Sequence, residues 1–374
     1  MFTKSLPVLM HHYVSRVPST IAVHPEIFDN QCEGMAKNGW RGISLKEAEA
    51  YLLEGRPLPK RSALITFDDG YLDNYVNAWQ ILQKHGHNAV IFTNTARLDG
   101  GEAREIDAAL KESVDCRGKS EASGDRYFNW QEARLMEESG VIDIASHTAH
   151  HYFRFSSGDL PPPSADLALR FKVPDRFRED ERRFRLDLPW GMPLFPLAPE
   201  MGGKAFIPSQ ELIDAVVSLV PQDKYKASEF FQSPENVKRL SDLTSALKNR
   251  GRMESEEEAR ERMRSDLLEC ASDLRRKLGH SEVLSHCWCW GFGSSMAQEE
   301  AAKLGYRVFF ETTNGANPPG NASAVHTHTH TRANPPASAV HRFKVRNKPY
   351  RWLKTRLFIY SRPIAAEVYR RLKG

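Results

Sequence analysis

The sequence predicts an α/β fold, because strand and helix patterns alternate along the chain. An apolar run that begins at Ala63 is typical of a buried strand, and Gly70 then allows the backbone to turn sharply. A helical spacing of apolar residues follows at Tyr75, Trp79 and Leu82. Residues 88–93 have the pattern of the next strand. This repeated order of strand and helix favours an α/β barrel.

The segments that precede this region continue the alternation. Residues 6–14 have a strand pattern, and Pro25 opens a helix that ends at Gly39. Ser44 and Glu47 have the spacing of a capping box, which predicts the start of the next helix.

The segments that follow show the same signals. Residues 141–146 alternate like a strand. Ser255 and Glu258 form a second capping box, which starts a long predicted helix. Residues 283–289 have the pattern of a further strand.

Two stretches interrupt the alternation and predict long loop insertions. Residues of about 99–126 are polar and rich in glycine, and residues of about 152–254 include proline-rich and charge-dense segments. We therefore expect a barrel domain over residues 1–341 that carries both insertions, followed by a separate tail over residues 342–374.

The composition is that of a globular protein, with 40% hydrophobic and 27% charged residues in 374. No apolar run approaches the roughly 20 residues of a membrane-spanning helix. The first ten residues lack a secretion signal, and the five cysteines are odd in number and scattered, which favours a reducing compartment. We expect a cytoplasmic protein.

Two adjacent carboxylates, Asp68 and Asp69, end the strand that begins at Ala63. α/β sheets and barrels place their chemistry at the carboxyl ends of strands. Neighbouring residues at a strand end point in different directions, so one carboxylate can hold a metal ion while the other faces a substrate. The alternative is a helix N-cap or a simple turn.

Three histidines, His147, His150 and His151, follow the strand over residues 141–146. Imidazole suits zinc and similar divalent ions, and two histidines with one carboxylate leave coordination positions open for water. The alternative is a histidine cluster on the surface.

Together these two stretches resemble the polysaccharide deacetylases, the NodB-homology group also named carbohydrate esterase family four. Thr66 to Gly70 matches Thr-Phe-Asp-Asp-Gly, and His147 to His151 matches His-(Ser/Thr)-x-x-His. The resemblance implies a distorted (β/α)7-type barrel in which Asp68 is the general base. It also implies that Asp69, His147 and His151 bind the metal, with His150 as the alternative to His151.

The opening Leu-Pro-Val-Leu-Met-His-His is similar to the branch of the family that acts on poly-N-acetylglucosamine-like glycans. The resemblance gives His11 or His12 a role on the substrate side, and we favour His12. Packing at a strand end is the alternative.

A third stretch, Trp290-Gly291, stands where many relatives carry an aromatic residue and glycine. There the motif lends a backbone N–H to the oxyanion hole and an aromatic wall to the sugar pocket. Cys289 replaces the usual proline, which would stiffen the turn. A metal site made of His286, Cys287 and Cys289 is a minor alternative, because no second ligand pair has zinc-finger spacing.

Many relatives carry a late catalytic histidine that acts as general acid. Residues 316–341 contain a short internal repeat with several histidines, and the sequence does not choose among them. The candidates are His326, His328, His330 and His341.

The C-terminal residues 342–374 contain eleven Lys and Arg but only one acid, Glu367. Apolar residues recur on helical faces on both sides of Pro363. A basic amphipathic pair of helices fits an anionic membrane surface, whereas nucleic acid is a poorer partner because the basic character is confined to the tail. The alternative is a pair of helices that covers the barrel.

The resemblance thus implies a hydrolase that removes the N-acetyl group from an amino sugar. The substrate would be a surface polysaccharide, a lipopolysaccharide or a lipid-linked glycan precursor, at the inner face of the membrane. Zinc is the expected metal, and cobalt, nickel and iron accept the same ligands. The alternatives are a glycan-binding or scaffold protein without activity, and removal of a formyl or O-acetyl group.

Overall fold

A computed structural model describes residues 2–115, 127–162, 166–174, 184–185, 187–321 and 339–373. The strands are β1 Val8–His11, β2 Tyr13–Val14, β3 Ala22–Val23, β4 Arg41–Gly42, β5 Ser62–Asp69, β6 Ala89–Thr93, β7 Ile142–Ser146, β8 Phe153–Phe155, β9 Leu197–Pro199, β10 Phe206–Pro208, β11 Gly251–Met253, β12 Ser285–Cys287, β13 Val308–Phe310, β14 Ala339–Val340 and β15 Phe343–Lys344.

The α-helices are α1 Pro25–Lys37, α2 Leu45–Glu54, α3 Trp79–His85, α4 Ile106–Asp115, α5 Trp130–Glu138, α6 Gln210–Leu219, α7 Lys224–Gln232, α8 Pro234–Ala246, α9 Glu256–Leu278, α10 Ser295–Lys303, α11 Tyr350–Tyr360 and α12 Pro363–Lys373. A π-helical turn, Asn74–Ala78, precedes α3, and short 3-10 turns lie at Thr95–Arg97, Leu167–Arg170, Glu200–Gly202 and Cys289–Gly291.

One parallel sheet, of nine strands within the described ranges, runs in the order β14-β13-β12-β7-β6-β5-β1-β15, and β4 pairs beside β5. Strand β5 lies inside the sheet, and all eight of its residues are buried. A parallel strand covered on both faces is typically a near-continuous apolar run, which is the pattern that begins at Ala63.

The two ends of this sheet meet, which closes it into a barrel. Strand β14 pairs with β13 at one end, and β15 pairs with β1 at the other. Only His341 and Arg342 separate β14 from β15 along the chain. Three residue steps span at most about 11 Å, so the sheet must curve until its ends are adjacent. This confirms the predicted α/β barrel.

The chain divides into two compact units, of which unit 1 contains Met1–His150 and Ser265–Gly374 and unit 2 contains His151–Arg264. Unit 1 holds the parallel sheet and a core that includes Leu64, Val90 and Phe310. Unit 2 has its own core, including Phe155, Phe195 and Leu212.

The predicted insertion over about 152–254 falls within unit 2. The other predicted insertion, at about 99–126, contains α4, and its residues 116–126 lie outside the described ranges. The boundary between a barrel over 1–341 and a tail over 342–374 stays a prediction.

Both predicted capping boxes form. The Ser44 side chain accepts the Glu47 N–H, and the Glu47 carboxylate accepts the Ser44 N–H. The same reciprocal bonds join Ser255 and Glu258 at the start of α9. The strand expected over 283–289 is shorter, because the chain leaves β12 after Cys287 and turns at Cys289–Gly291.

No helix in the described part of the chain is both long enough and apolar enough to cross a bilayer. Cys32, Cys270, Cys287 and Cys289 are buried thiols that form no disulfide among the described residues.

Candidate active site

The predicted functional residues of unit 1 gather at one edge of the barrel. Asp68 and Asp69 end β5, His147 follows β7, and Cys287 ends β12. These strands are parallel, so their carboxyl ends lie at the same edge. His12 follows β1, which pairs with β5.

Backbone strain concentrates in the predicted motifs. Five residues other than glycine have positive φ within the described ranges, and four of these belong to the motifs. The four are Asp69 at 76°, Thr148 at 66°, His151 at 58° and Trp290 at 60°. Residues in this region each cost about 1–3 kcal/mol and persist where surrounding contacts fix them, often at functional sites.

Gly70 makes the turn after the paired carboxylates possible. Its φ is +85°, and a Cβ at this position would collide with the hydroxyl of Thr93. Only glycine fits both the conformation and the space. The Asp-Asp-Gly order is therefore required by the turn that presents the carboxylates.

Asp68 is buried and held by Arg342 through two parallel hydrogen bonds. Arg342 Nη1 donates to Asp68 Oδ1 at 2.6 Å, and Nη2 donates to Oδ2 at 2.9 Å. The arginine is itself buried, and it also donates to Thr66 Oγ1 at 3.2 Å and, through Nε, to the Glu311 carbonyl at 3.0 Å. Bidentate arginine pairs fix both the charge and the orientation of a carboxylate.

The charge state of Asp68 follows from these neighbours. Burial raises the pKa of the carboxyl, but Arg342, His147 and His12 outweigh it and leave the pKa below its ordinary value. Burial lowers the pKa of Arg342, and the Asp68 charge reverses this and raises it. Asp68 is thus ionised at neutral pH and able to accept a proton through its remaining lone pairs.

His147 is oriented so that one ring nitrogen faces Asp69. Its Nδ1 lies 2.7 Å from the Cys287 carbonyl, which can only accept, so Nδ1 carries the proton. Its Nε2 lies 3.4 Å from Asp69 Oδ1. Burial lowers the pKa of His147, and Cys289, Cys287 and Asp69 raise it well above its usual value.

This pair fits a metal ion. With Nδ1 protonated, a neutral His147 directs the lone pair of Nε2 at the Asp69 carboxylate. Two hydrogen-bond acceptors this close repel each other unless a positively charged group lies between them. A proton on Nε2 or a metal ion serves that purpose, and a backbone carbonyl on the other nitrogen is the usual support of a metal-binding histidine. In addition, donor atoms of Asp68, His147 and Cys287 lie within 4.8 Å of one another. Carboxylate, imidazole and thiolate are all zinc ligands.

The two N-terminal histidines have different environments. His11 lies in the core, stacked on Phe67 and edge-on to Phe28, and its Nδ1 is 3.3 Å from the Thr66 carbonyl. His12 is less buried, and its Nε2 lies 3.9 Å from Asp68 Oδ2. Burial lowers the pKa of His12, while the Asp68 charge raises it. The geometry therefore places His12, rather than His11, beside the candidate base.

The histidines at the end of the second motif also differ. His150 Nε2 is 3.0 Å from Glu269 Oε2, so this ring is engaged by a residue of α9. The loop that carries it is fixed by Asp266, which accepts the Ala149 N–H at 2.8 Å. His151, half-buried, is the first residue of unit 2. Its role as a ligand stays a prediction.

The third motif presents an exposed aromatic ring. Trp290 is 53% exposed, and its positive φ lies inside the turn that follows β12. Gly291 has a φ of +73°, and a Cβ there would collide with Thr312. Cys289, which replaces the expected proline, donates from Sγ to the His147 carbonyl at 3.1 Å. This sulfur contact links the turn to the second motif.

Of the late histidines, only His341 lies within the described residues. Its Nδ1 is 2.8 Å from Thr313 Oγ1, and its backbone N–H donates to Asn317 Oδ1. His326, His328 and His330 lie outside the described ranges.

Sequence reasoning missed two residues of this site. In the sequence, Arg342 is one of several basic residues of the tail, and Cys287 belongs only to the minor alternative metal site. Cys287 Sγ lies 3.0 Å from Arg342 Nη2 and 3.7 Å from Asp68 Oδ1. The position of Cys287 at a strand end is a local signal for a role in the site, whereas Arg342 has no local signal.

Comparison with known proteins agrees with this geometry. Residues 55–166 match the sequence model of the family described as polysaccharide deacetylase. The chain is 37% identical over 87 residues to YxkH of Bacillus subtilis, covering 23% of this chain and 31% of that protein. It is 24% identical over 175 residues to the poly-β-1,6-N-acetyl-D-glucosamine N-deacetylase of Escherichia coli, covering 45% of this chain and 24% of that protein. The chain therefore spans less than a third of either relative.

Solved structures share the fold. The BpsB deacetylase domain from Bordetella bronchiseptica aligns with a TM-score of 0.54 at 18% identity, over 91% of this chain and 96% of that chain. A de-N-acetylase from Aggregatibacter actinomycetemcomitans aligns with a TM-score of 0.57 at 16% identity, over 94% and 99%. The matched segment, residues 55–166, contains both motifs and is similar to the polysaccharide deacetylase family.

Proposed function

We propose that this protein is a metal-dependent hydrolase that removes the N-acetyl group from an amino sugar. The substrate class is a surface polysaccharide, a lipopolysaccharide or a lipid-linked glycan precursor. The observation that carries the proposal is a buried, ionised Asp68 beside the Asp69–His147 pair. The Escherichia coli relative, named as a poly-β-1,6-N-acetyl-D-glucosamine N-deacetylase, supports the choice of substrate.

Asp69 and His147 would hold the metal, together with His151, which the motif adds. Zinc fits these donors best, and cobalt, nickel or iron would fit the same set. A divalent ion at this position supplies polarisation of the acetamide carbonyl and a lowered pKa for bound water.

Asp68 is the general base of the proposed reaction. Its carboxylate accepts a proton from the water that attacks the acetamide carbon. Arg342 keeps the carboxylate ionised and fixes its plane, so that the free lone pairs have one direction. A fixed base avoids reorientation during the reaction.

We assign His12 as the group that protonates the leaving amine. Breaking the C–N bond requires a proton on the sugar nitrogen, and His12 lies 3.9 Å from the carboxylate that took a proton from water. A bridging water, or a small approach of the ring, completes this path from Asp68 to the amine.

The turn at Trp290 would supply the group that stabilises the oxyanion and a surface for the sugar ring. A backbone N–H near Trp290 would stabilise the oxyanion of the tetrahedral intermediate. The exposed indole offers an aromatic surface on which a sugar ring can stack. Gly291 permits the close turn that positions both.

Acetate release tests the proposal. Purified protein with zinc, cobalt, nickel or iron is incubated with β-1,6-linked N-acetylglucosamine oligomers and with other N-acetylated glycans, and free acetate is measured. The expected result is metal-dependent acetate release that Asp68→Asn abolishes. Glycan binding without release from any metal-loaded sample would favour the alternative of a binding protein, and formate release from formylated sugars would change the acyl group.

A further inference from the structure

A groove of about 820 Å³ lies in unit 1, between the N-terminal residues, the loop before β5 and the two C-terminal helices. Five of its lining side chains are basic: Lys4, Lys60, Arg61, Lys354 and Arg362. No Asp or Glu lines it among the residues that the structure describes. The groove therefore has an uncompensated positive charge.

These five cations are exposed, and no ion pair joins them to an acid within the described ranges. The only acid of the tail, Glu367, is paired with Arg370 and Arg371. Arg61 and Arg362 make hydrogen bonds only to backbone carbonyls and a serine hydroxyl among the described contacts. Their charges remain available to an anionic partner.

Large apolar side chains next to these cations are exposed to solvent. Phe358, which lines the groove, is 56% exposed, and Ile364 is 83% exposed. The Arg362 guanidinium lies 3.6 Å from the centre of the Phe358 ring, so cation and apolar surface are in direct contact. The outer face of α12 continues the apolar surface with Val368 and Leu372.

The other face of the tail is already occupied. On α11, Leu353, Leu357 and Tyr360 are buried, and Tyr360 stacks on Phe343 of β15. Thus α11 covers the barrel with one face, while α12 leaves its aliphatic face exposed. The helix α11 is therefore the part of the tail that packs on the barrel, and α12 is the part that can contact a partner.

We infer that this groove and the exposed face of α12 dock on a bilayer that contains anionic phospholipid. Headgroup phosphates would bind at the cations, and Phe358, Ile364 and Leu372 would enter the acyl boundary. An interfacial helix has this combination of a basic side and an exposed apolar side. Nucleic acid offers phosphate but no apolar phase for the aliphatic side chains.

Vesicle co-sedimentation with the full chain tests the inference without any measurement of turnover. The vesicles are phosphatidylcholine alone or phosphatidylcholine with one quarter phosphatidylglycerol. We expect binding to the anionic vesicles only, and weaker binding as salt rises. The double reversal Lys354→Glu/Arg362→Glu should weaken binding at least tenfold, and Ile364→Ser should weaken it at constant charge.

The matched control is Lys224→Glu/Lys226→Glu, which makes the same charge change on exposed lysines of unit 2. Binding close to wild type in this control is expected, with unchanged melting temperatures for every variant. An equal loss of vesicle binding in both double variants would mean that net charge alone determines binding, and it would overturn the inference. So would equal binding to neutral vesicles, or binding to duplex DNA without binding to vesicles.

Discussion

Arg342 and Asp68 are joined by two hydrogen bonds, although they lie 274 positions apart in the sequence. Asp68 ends β5, whereas Arg342 lies in the two-residue link between β14 and β15, where the sheet closes. Closure of the barrel therefore delivers the cation that holds the candidate base. The chemistry of the site depends on the same contacts that complete the fold.

Replacing Arg342 by glutamine should destabilise the protein strongly. Removing one partner of a buried ion pair leaves the other charge uncompensated, at a cost of about 3–5 kcal/mol. The pKa of Asp68 should rise, because Arg342 is the main group that opposes the effect of burial. Urea unfolding of wild type and Arg342→Gln measures the loss.

The control is Arg346→Gln, a nearby arginine whose side chain is exposed. Its unfolding free energy should lie within about 0.5 kcal/mol of wild type, as expected for an exposed position. Similar stabilities for the two variants would show that the Arg342–Asp68 pair is not important for the fold.

Substituting Gly70 by alanine should disturb the turn that presents Asp68 and Asp69. The new Cβ would have to adopt a φ of +85° and would collide with Thr93, so we expect a loss of about 1–3 kcal/mol. Gly100→Ala is the matched control, because a Cβ there meets nothing within 4 Å. Thermal unfolding distinguishes the two, and an equal effect of both substitutions would contradict this account of the turn.

Burial of His11 should make stability depend on pH. Burial lowers its pKa from 6.5 to about 3 in the folded state. Between these values the unfolded chain binds the additional proton, so the free energy of unfolding falls as the pH falls. His11→Asn removes this titration and should give a shallower decline from pH 7 to pH 5.

The comparison is made by urea unfolding at each pH. The partly buried His12 and the buried His286 titrate in both proteins, so their contributions cancel in the difference. Parallel pH profiles for wild type and His11→Asn would show that His11 is not held neutral in the core.

The sequence was sufficient for the parts of the site that are local. Asp68, Asp69 and Gly70 are contiguous, and the strand and turn that carry them are encoded within ten residues. The capping boxes of α2 and α9 are equally local, since each depends on two residues three positions apart.

The remaining parts depend on distant contacts. Whether His11 or His12 faces the site depends on which side of β1 lies against the core, and both neighbours of that strand come from later in the chain. Arg342 resembles the other basic residues around it, and only the closure of the sheet distinguishes it. Likewise, the apolar periodicity of the tail predicted two faces but not that α11 buries one and α12 exposes the other.

The central claim separates the base from the metal ligands, and paired measurements on the same samples test it most directly. Metal content and acetate release are measured for wild type, Asp68→Asn, Asp69→Ala and His147→Ala. We predict full metal content with at least a hundredfold loss of turnover in Asp68→Asn, because general bases contribute about 10² to 10⁴ in rate. We predict loss of both metal and turnover in Asp69→Ala and His147→Ala. Near-normal acetate release by Asp68→Asn, or full metal content in His147→Ala, would contradict the account.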